Sequence, residues 1–237
     1  MVSLPANIVE PRDFQFIVSL GMNCEVAHQL KIWSNEISAT AELESLDGNF
    51  TQGSFLFDWC ITSLPSICEC FENCFGELFE KHNLDISAET DSNGYNYVTD
   101  RKYGIQFQHV FSRVGTIVTP EILESEYEDK RQKVSYLASK LRNLIDSDKT
   151  ALYIRRGDDH VGLLGRLADA IKKINPNHDF HVVSVRSDGV RSIDERYAPY
   201  ISFYQMPYSG DWTGDAQEWA KMLSLYVDSS ASRSSGL

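Results

Sequence analysis

FQFIVSLGMNCEVAHQL, residues 14–30, changes its hydrophobic period halfway along, and that change decides the fold. Phe14, Phe16, Ile17, Val18 and Leu20 form a short β-favouring apolar run, as in a strand covered on both faces. Gly21 breaks the run and Asn23 is a helix-capping type. From Cys24 onward, Ala27, Leu30 and Lys31 follow at spacings of three and four, which predicts a helix. Cys24 then sits in the first turn of a helix, just past the carboxyl end of a strand. Unpaired N–H groups and the helix dipole meet there and favour a thiolate, so Cys24 is expected to be the one strongly reactive thiol. The plainer alternative is a small buried residue packing the turn.

The same alternation returns in the last third of the chain. Residues 151–154 read as a strand running into Arg155-Arg156-Gly157-Asp158-Asp159-His160, and residues 163–174 as a helix stopped by Asn175-Pro176-Asn177. Residues 180–185 form another strand ahead of Arg186-Ser187-Asp188-Gly189, residues 201–206 a third, and residues 215–227 a closing helix. Strands alternating with helices imply a mostly parallel sheet with helices on its faces. The expected class is α/β, a Rossmann-like mostly parallel sheet with flanking helices and an inserted β-hairpin. In such sheets ligands gather at the carboxyl ends of strands, where Gly21 to Cys24, Arg155 to His160 and Arg186 to Gly189 would lie.

Between these halves, residues 34–53 are polar and mixed, with a short helix conceivable at 39–46 and loop residues at Gly48, Asn49 and Gly53. Residues 64–79 carry helical apolar spacing that includes Cys68, Cys70 and Cys74. A C-x-C-x-x-x-C run inside a regular helix points its thiols in different directions, so these are read as core cysteines and no metal is expected. Residues 95–98 and 103–111 read as a hairpin. In its second strand His109 shares a face with Tyr103, Ile105, Phe107 and Phe111, either as a satisfied core histidine or as a base in a dry site. Residues 121–145 form the longest helix. Asp58, between Phe57 and Trp59, is an expensive place for a carboxylate without a partner; a capping or turn role beside Ser63 and Pro65 is the simplest account.

At 237 residues, with 42% hydrophobic and 24% charged, the chain fits a soluble globular protein, expected as a single α/β domain over 13–227. Residues 1–12 read as a loose lead and the Ser-rich residues 228–237 as a disordered tail. A net charge of −12 argues against a nucleic-acid or anionic-membrane surface. No run approaches a membrane span and no signal pattern opens the chain, so a cytoplasmic location is expected. Five cysteines, an odd count, then stay reduced.

In order, SLGMNCEVAHQL, FLFDWC, YGIQFQHVF, ALYIRRGDD and GDWTGDAQEW resemble an uncharacterised family labelled papain-like cysteine peptidases, over about residues 14–219. The resemblance rests on G-x-x-C-x-x-A-x-x-L, F-D-W-x-x-T/S, an aromatic-histidine strand and a later strand ending in arginine. Gln108 and Val110 depart from it, standing where a second histidine or an acid would be expected beside His109. What it implies is a nucleophile at Cys24, a histidine base at His109 and an orienting acid at Asp58, on a papain-like α+β frame as the alternative fold. Helix-start amides near Asn23 and Cys24, with the Asn23 side chain, would form the oxyanion hole. The expectation is a cysteine-dependent hydrolase or acyl-transfer enzyme without a cofactor, acting on a small-molecule, peptide or glycan-type substrate. The alternative is a transferase or binding protein for a sugar nucleotide or phosphorylated glycan precursor, its phosphates held by Arg155, Arg156 and Arg186. Those arginines would otherwise pair with Asp158, Asp159 or Asp188. The oligomeric state is not legible.

Overall fold

In the computed structural model, residues 14–40, 54–188 and 192–227 are described. The lead at 1–12, the tail at 228–237 and the loop at 48–53 lie outside them. In chain order the elements are β1 (Phe16–Ser19), α1 (Glu25–Thr40), β2 (Cys60–Ile61), α2 (Leu64–Glu72), β3 (Leu84–Ile86), β4 (Val98–Asp100) and β5 (Ile105–Phe107). There follow α3 (Pro120–Asp146), β6 (Ala151–Arg156), α4 (Val161–Ile174), β7 (Phe180–Arg186), β8 (Ile201–Gln205) and α5 (Ala216–Tyr226). The expected strand-to-helix turn is present, but α1 runs on through Ser34 to Thr40, where the sequence reads as mixed. The conceivable helix at 39–46 is α1 at its first two residues and otherwise lies outside the described residues.

Two sheets make an α/β architecture. The first is four-stranded and parallel, in the order β1-β6-β7-β8. Every residue of β6 and β7 is buried, as both faces are covered. One face, with Ile17, Leu152, Ile154, Val183 and Val185, packs on α1 and α5 through Val26, Leu30, Trp219, Met222 and Leu223. The other, with Val18, Ala151, Tyr153, Val182 and Phe203, joins the larger core, which includes α2, α3 and α4. Alternate residues along each strand serve opposite faces, so the strand period and the two cores have one cause.

The second sheet is antiparallel, in the order β2-β5-β4-β3. The expected hairpin is its β4–β5 pair, with β2 and β3 added on either side. The second hairpin strand stops at Phe107, so His109 does not share a buried face with Ile105 and Phe107; its side chain is exposed. The cysteine helix also ends early. Asn73 caps α2, and Cys74, Phe75, Glu77 and Phe79 take left-handed φ of 49°, 61°, 59° and 61°. Such backbone costs about 1–2 kcal/mol per residue. It is offset by burial of Phe75 and Phe79 and by the Phe79 N–H donating to Asp100 Oδ2 at 2.7 Å. Cys68 and Cys70 are core residues as expected, whereas Cys74 is exposed. None of the described helices is long and apolar enough to cross a membrane.

Candidate functional site

The four parallel strands put their carboxyl ends on one edge, and the Leu20-to-Cys24 turn lies there. Thr62 shapes that turn. Its Oγ1 accepts from Met22 N at 3.0 Å and from Arg155 Nη1 at 3.1 Å, and donates to the Leu20 carbonyl at 3.3 Å. Gly21 has φ +70°, and a Cβ there would lie 2.6 Å from Thr62 Oγ1 and 3.2 Å from the Phe57 carbonyl, so glycine is required. Arg155 completes the joint with Nη1 to the Leu20 carbonyl, Nη2 to the Thr62 carbonyl and a two-pronged pair with Asp159. The end of β1, the end of β2 and the end of β6 are thus tied by one threonine and one buried arginine.

Cys24 sits on this joint. Its carbonyl accepts from His28 N at 2.9 Å, which makes it the N-cap of α1, and Asn23 Oδ1 accepts from Glu25 N at 3.0 Å. The thiol is buried and donates to Gln108 Oε1 at 3.3 Å. Desolvation first, and then the Asp58 charge, push the Cys24 thiol up from 9.0 to about 11. Burial and a nearby carboxylate thus act against the thiolate that a helix start would favour.

Asp58 keeps some side-chain surface in water, but its carboxyl is enclosed and pushed up from 3.8 to about 7. Desolvation is the main cause, countered by the Phe55 N–H, which donates to Oδ2 at 2.8 Å, and by Lys140. Asp58 therefore closes the 55–58 turn; the cap of α2 is Ser63, which accepts from Ser66 N at 3.2 Å. Lys140 reaches the same corner, its Nζ donating to the Ser54 carbonyl at 3.1 Å and lying 4.3 Å from the Phe55 ring centre.

His109 meets the edge of Trp59 with ring centres 6.0 Å apart. Partial burial first, and then Arg113, lower its pKa from the usual imidazole value. The structure brings Cys24 and Asp58 within each other's field and sets His109 beside Trp59. Among the described residues, no hydrogen bond joins His109 to Cys24 or to Asp58. Gln108, the sequence neighbour of His109, holds the thiol instead. Sequence reading placed Gln108 only as a departure from the family pattern and Thr62 only as the last position of F-D-W-x-x-T/S, and gave Lys140 no role; each acts through contacts far along the chain.

The other arginines also turn inward. Arg156 donates to the Met206 and Pro207 carbonyls at 2.7 and 3.1 Å, with Nε 3.6 Å from Glu25 Oε2. Buried Glu25 in turn accepts from Trp219 Nε1 at 3.0 Å. Arg186 pairs with Asp188 at 2.7 and 3.1 Å and donates to the Asp159 carbonyl at 2.6 Å. Binding phosphate with these side chains would require giving up such contacts. Among the described residues no cluster of three His, Cys, Asp or Glu is placed to hold a metal ion. Comparison with known protein families, curated proteins and solved structures returns no match to this chain.

Proposed function

We propose that the chain is a cysteine-dependent hydrolase or acyl-transfer enzyme with Cys24 as nucleophile and Asp58, not His109, as the group that takes its proton. The observation that carries this reading is the pairing of an enclosed thiol raised to about 11 with an enclosed carboxyl raised to about 7 in one corner. Strongly perturbed partners at a strand's carboxyl end are what acid–base chemistry needs. The pair resists two negative charges, and a single one rests on the Asp58 carboxylate, the more acidic group, until the thiol gives up its proton. When the thiol proton moves to Asp58, the carboxylate charge that opposed the thiolate disappears, and the cost that remains is desolvation of the sulfur, the larger of the two causes.

Sγ then bonds to the acyl carbon, and the leaving group departs with the proton held by Asp58. Water, or an acceptor hydroxyl or amine, returns a proton to Asp58 as it attacks the thioester, and the thiol is restored by that proton. Met22 N and Glu25 N are engaged by Thr62 and Asn23, which leaves the Cys24 amide and the Asn23 carboxamide nitrogen to stabilise an oxyanion. Exposed His109 and its ring partner Trp59 are the sequence neighbours of Gln108 and Asp58, and a small-molecule, peptide or glycan-type acyl substrate would approach Cys24 from their side. This chemistry would sit on an α/β frame of four parallel strands in the order β1-β6-β7-β8 with helices on both faces.

The test is turnover of p-nitrophenyl acetate by the full chain across neutral pH. Cys24→Ser should abolish it, Asp58→Asn should lower kcat and remove the limb near pH 7, and His109→Gln should alter it less. Full turnover in Cys24→Ser ends the reading; loss in His109→Gln with none in Asp58→Asn reassigns the base.

A further inference from the structure

The chain fixes a second feature at the same sheet edge. Residues 207–214 follow β8 and carry Tyr208, 48% exposed, and Trp212, 58% exposed. Large aromatic rings are ordinarily drawn inward, because each forfeits much apolar burial when left in water. Here buried polar side chains hold them out. Arg156, fully buried, fastens the Met206 and Pro207 carbonyls at the start of the loop. Buried Gln29 fastens the Thr213 carbonyl at its end, at 2.5 Å. At Gly214 a Cβ would lie 2.6 Å from Glu25 Oε1 and 2.8 Å from Trp219 Nε1, so the loop seats directly on that buried pair. Asp211 Oδ1 accepts from Thr213 N at 3.1 Å and stiffens the middle.

Each ring is also backed on one side. The Arg156 guanidinium lies 4.4 Å from the Tyr208 ring centre, and the His28 ring lies 5.1 Å from that of Trp212. What remains is two pre-set aromatic surfaces facing solvent. We propose that residues 207–214 form a binding site for a neutral glycan, with a pyranose ring stacked on Trp212 and a second contact on Tyr208.

Charge selects the ligand class. Besides burial, the Asp158, Glu25 and Asp159 carboxylates act on the Tyr208 hydroxyl against the single Arg156 guanidinium, and the whole chain carries −12, so a phosphorylated or otherwise anionic ligand is disfavoured. A cation is disfavoured at Tyr208 because Arg156 already holds that ring. A neutral sugar meets neither obstacle. Its C–H faces pack on aromatic rings, and its hydroxyls can donate to the Asp211 carboxylate, whose Oδ2 takes no partner among the described residues. Glycan binding here does not depend on the Cys24 chemistry, although the loop seats on Glu25, the residue after Cys24.

The experiment is calorimetric titration of the full chain with cellohexaose, maltohexaose and chitohexaose, and with uridine diphosphate as the anionic probe. At least one hexasaccharide should bind saturably, with Trp212→Ala weakening it by about tenfold or more, Tyr208→Ala by less, and Trp212→Tyr retaining most of the affinity. Thermal unfolding of Trp212→Ala should match the wild type, since the ring is exposed. No binding of any hexasaccharide at about 10 mM overturns the proposal, as does unchanged affinity in Trp212→Ala or tighter binding of uridine diphosphate at the same residues.

Discussion

Replacing Asp58 by asparagine should make the protein more resistant to alkaline pH, by an amount that follows from the environment of the carboxyl. Its pKa is lifted from 3.8 to about 7 by desolvation. The folded chain therefore holds this proton over a range where the unfolded chain has lost it, and stability from this group falls as pH rises between those two values. At about 1.4 kcal/mol for each tenfold change, the full effect is about 4 kcal/mol. Asp58 retains part of its surface in water, and screening there brings the figure to about 2 kcal/mol. Asparagine keeps an oxygen to accept the Phe55 N–H and has no charge to bury. Urea unfolding of both proteins at pH 5 and pH 8 measures the effect. The stability difference, variant minus wild type, should grow by between about 1 and 2 kcal/mol from the lower pH to the higher. A difference that stays constant would show that the Asp58 carboxyl titrates normally, and the proton-acceptor role would lose its basis.

Gly21→Ala should destabilise by about 3 kcal/mol in the same assay, since a methyl group meets Thr62 Oγ1 at 2.6 Å on a left-handed backbone. Arg155→Met should cost about 3 kcal/mol, because Asp159 and the Leu20 and Thr62 carbonyls all lose donors within a closed region. Native iodoacetamide labelling at mildly alkaline pH, followed by peptide mapping, should modify exposed Cys74 first, with Cys24, Cys60, Cys68 and Cys70 slower.

The parallel sheet was legible because its strands are long enough to show a period. In residues 14–30 and again in 151–186 the switch from an apolar run to three-and-four spacing marks strand and helix directly. The antiparallel sheet was half legible. β2 has two residues and β3 three, too few for a pattern, and both exist because β5 and β4 offer them partners. Helical spacing continues through Phe75, Leu78 and Phe79, yet the helix stops, since Asp100, distant in sequence, captures the Phe79 amide. The sequence singled out Cys24 and Asp58 but not the environment of either side chain. Both environments depend on enclosure by elements far along the chain, as does the hub formed by Thr62 and Arg155. Residues far apart in sequence meet here: Cys24 with Gln108, Thr62 with Arg155, and Glu25 with Trp219 and Arg156.

The central claim is that Cys24 forms an acyl intermediate with Asp58 as its proton acceptor. It is tested most directly by brief incubation of the native full chain with p-nitrophenyl acetate, acid quenching and peptide mass spectrometry. An acetyl group is expected on Cys24, decaying on further incubation and accumulating more slowly in Asp58→Asn. An adduct confined to Cys74, with Cys24 unmodified, would contradict it.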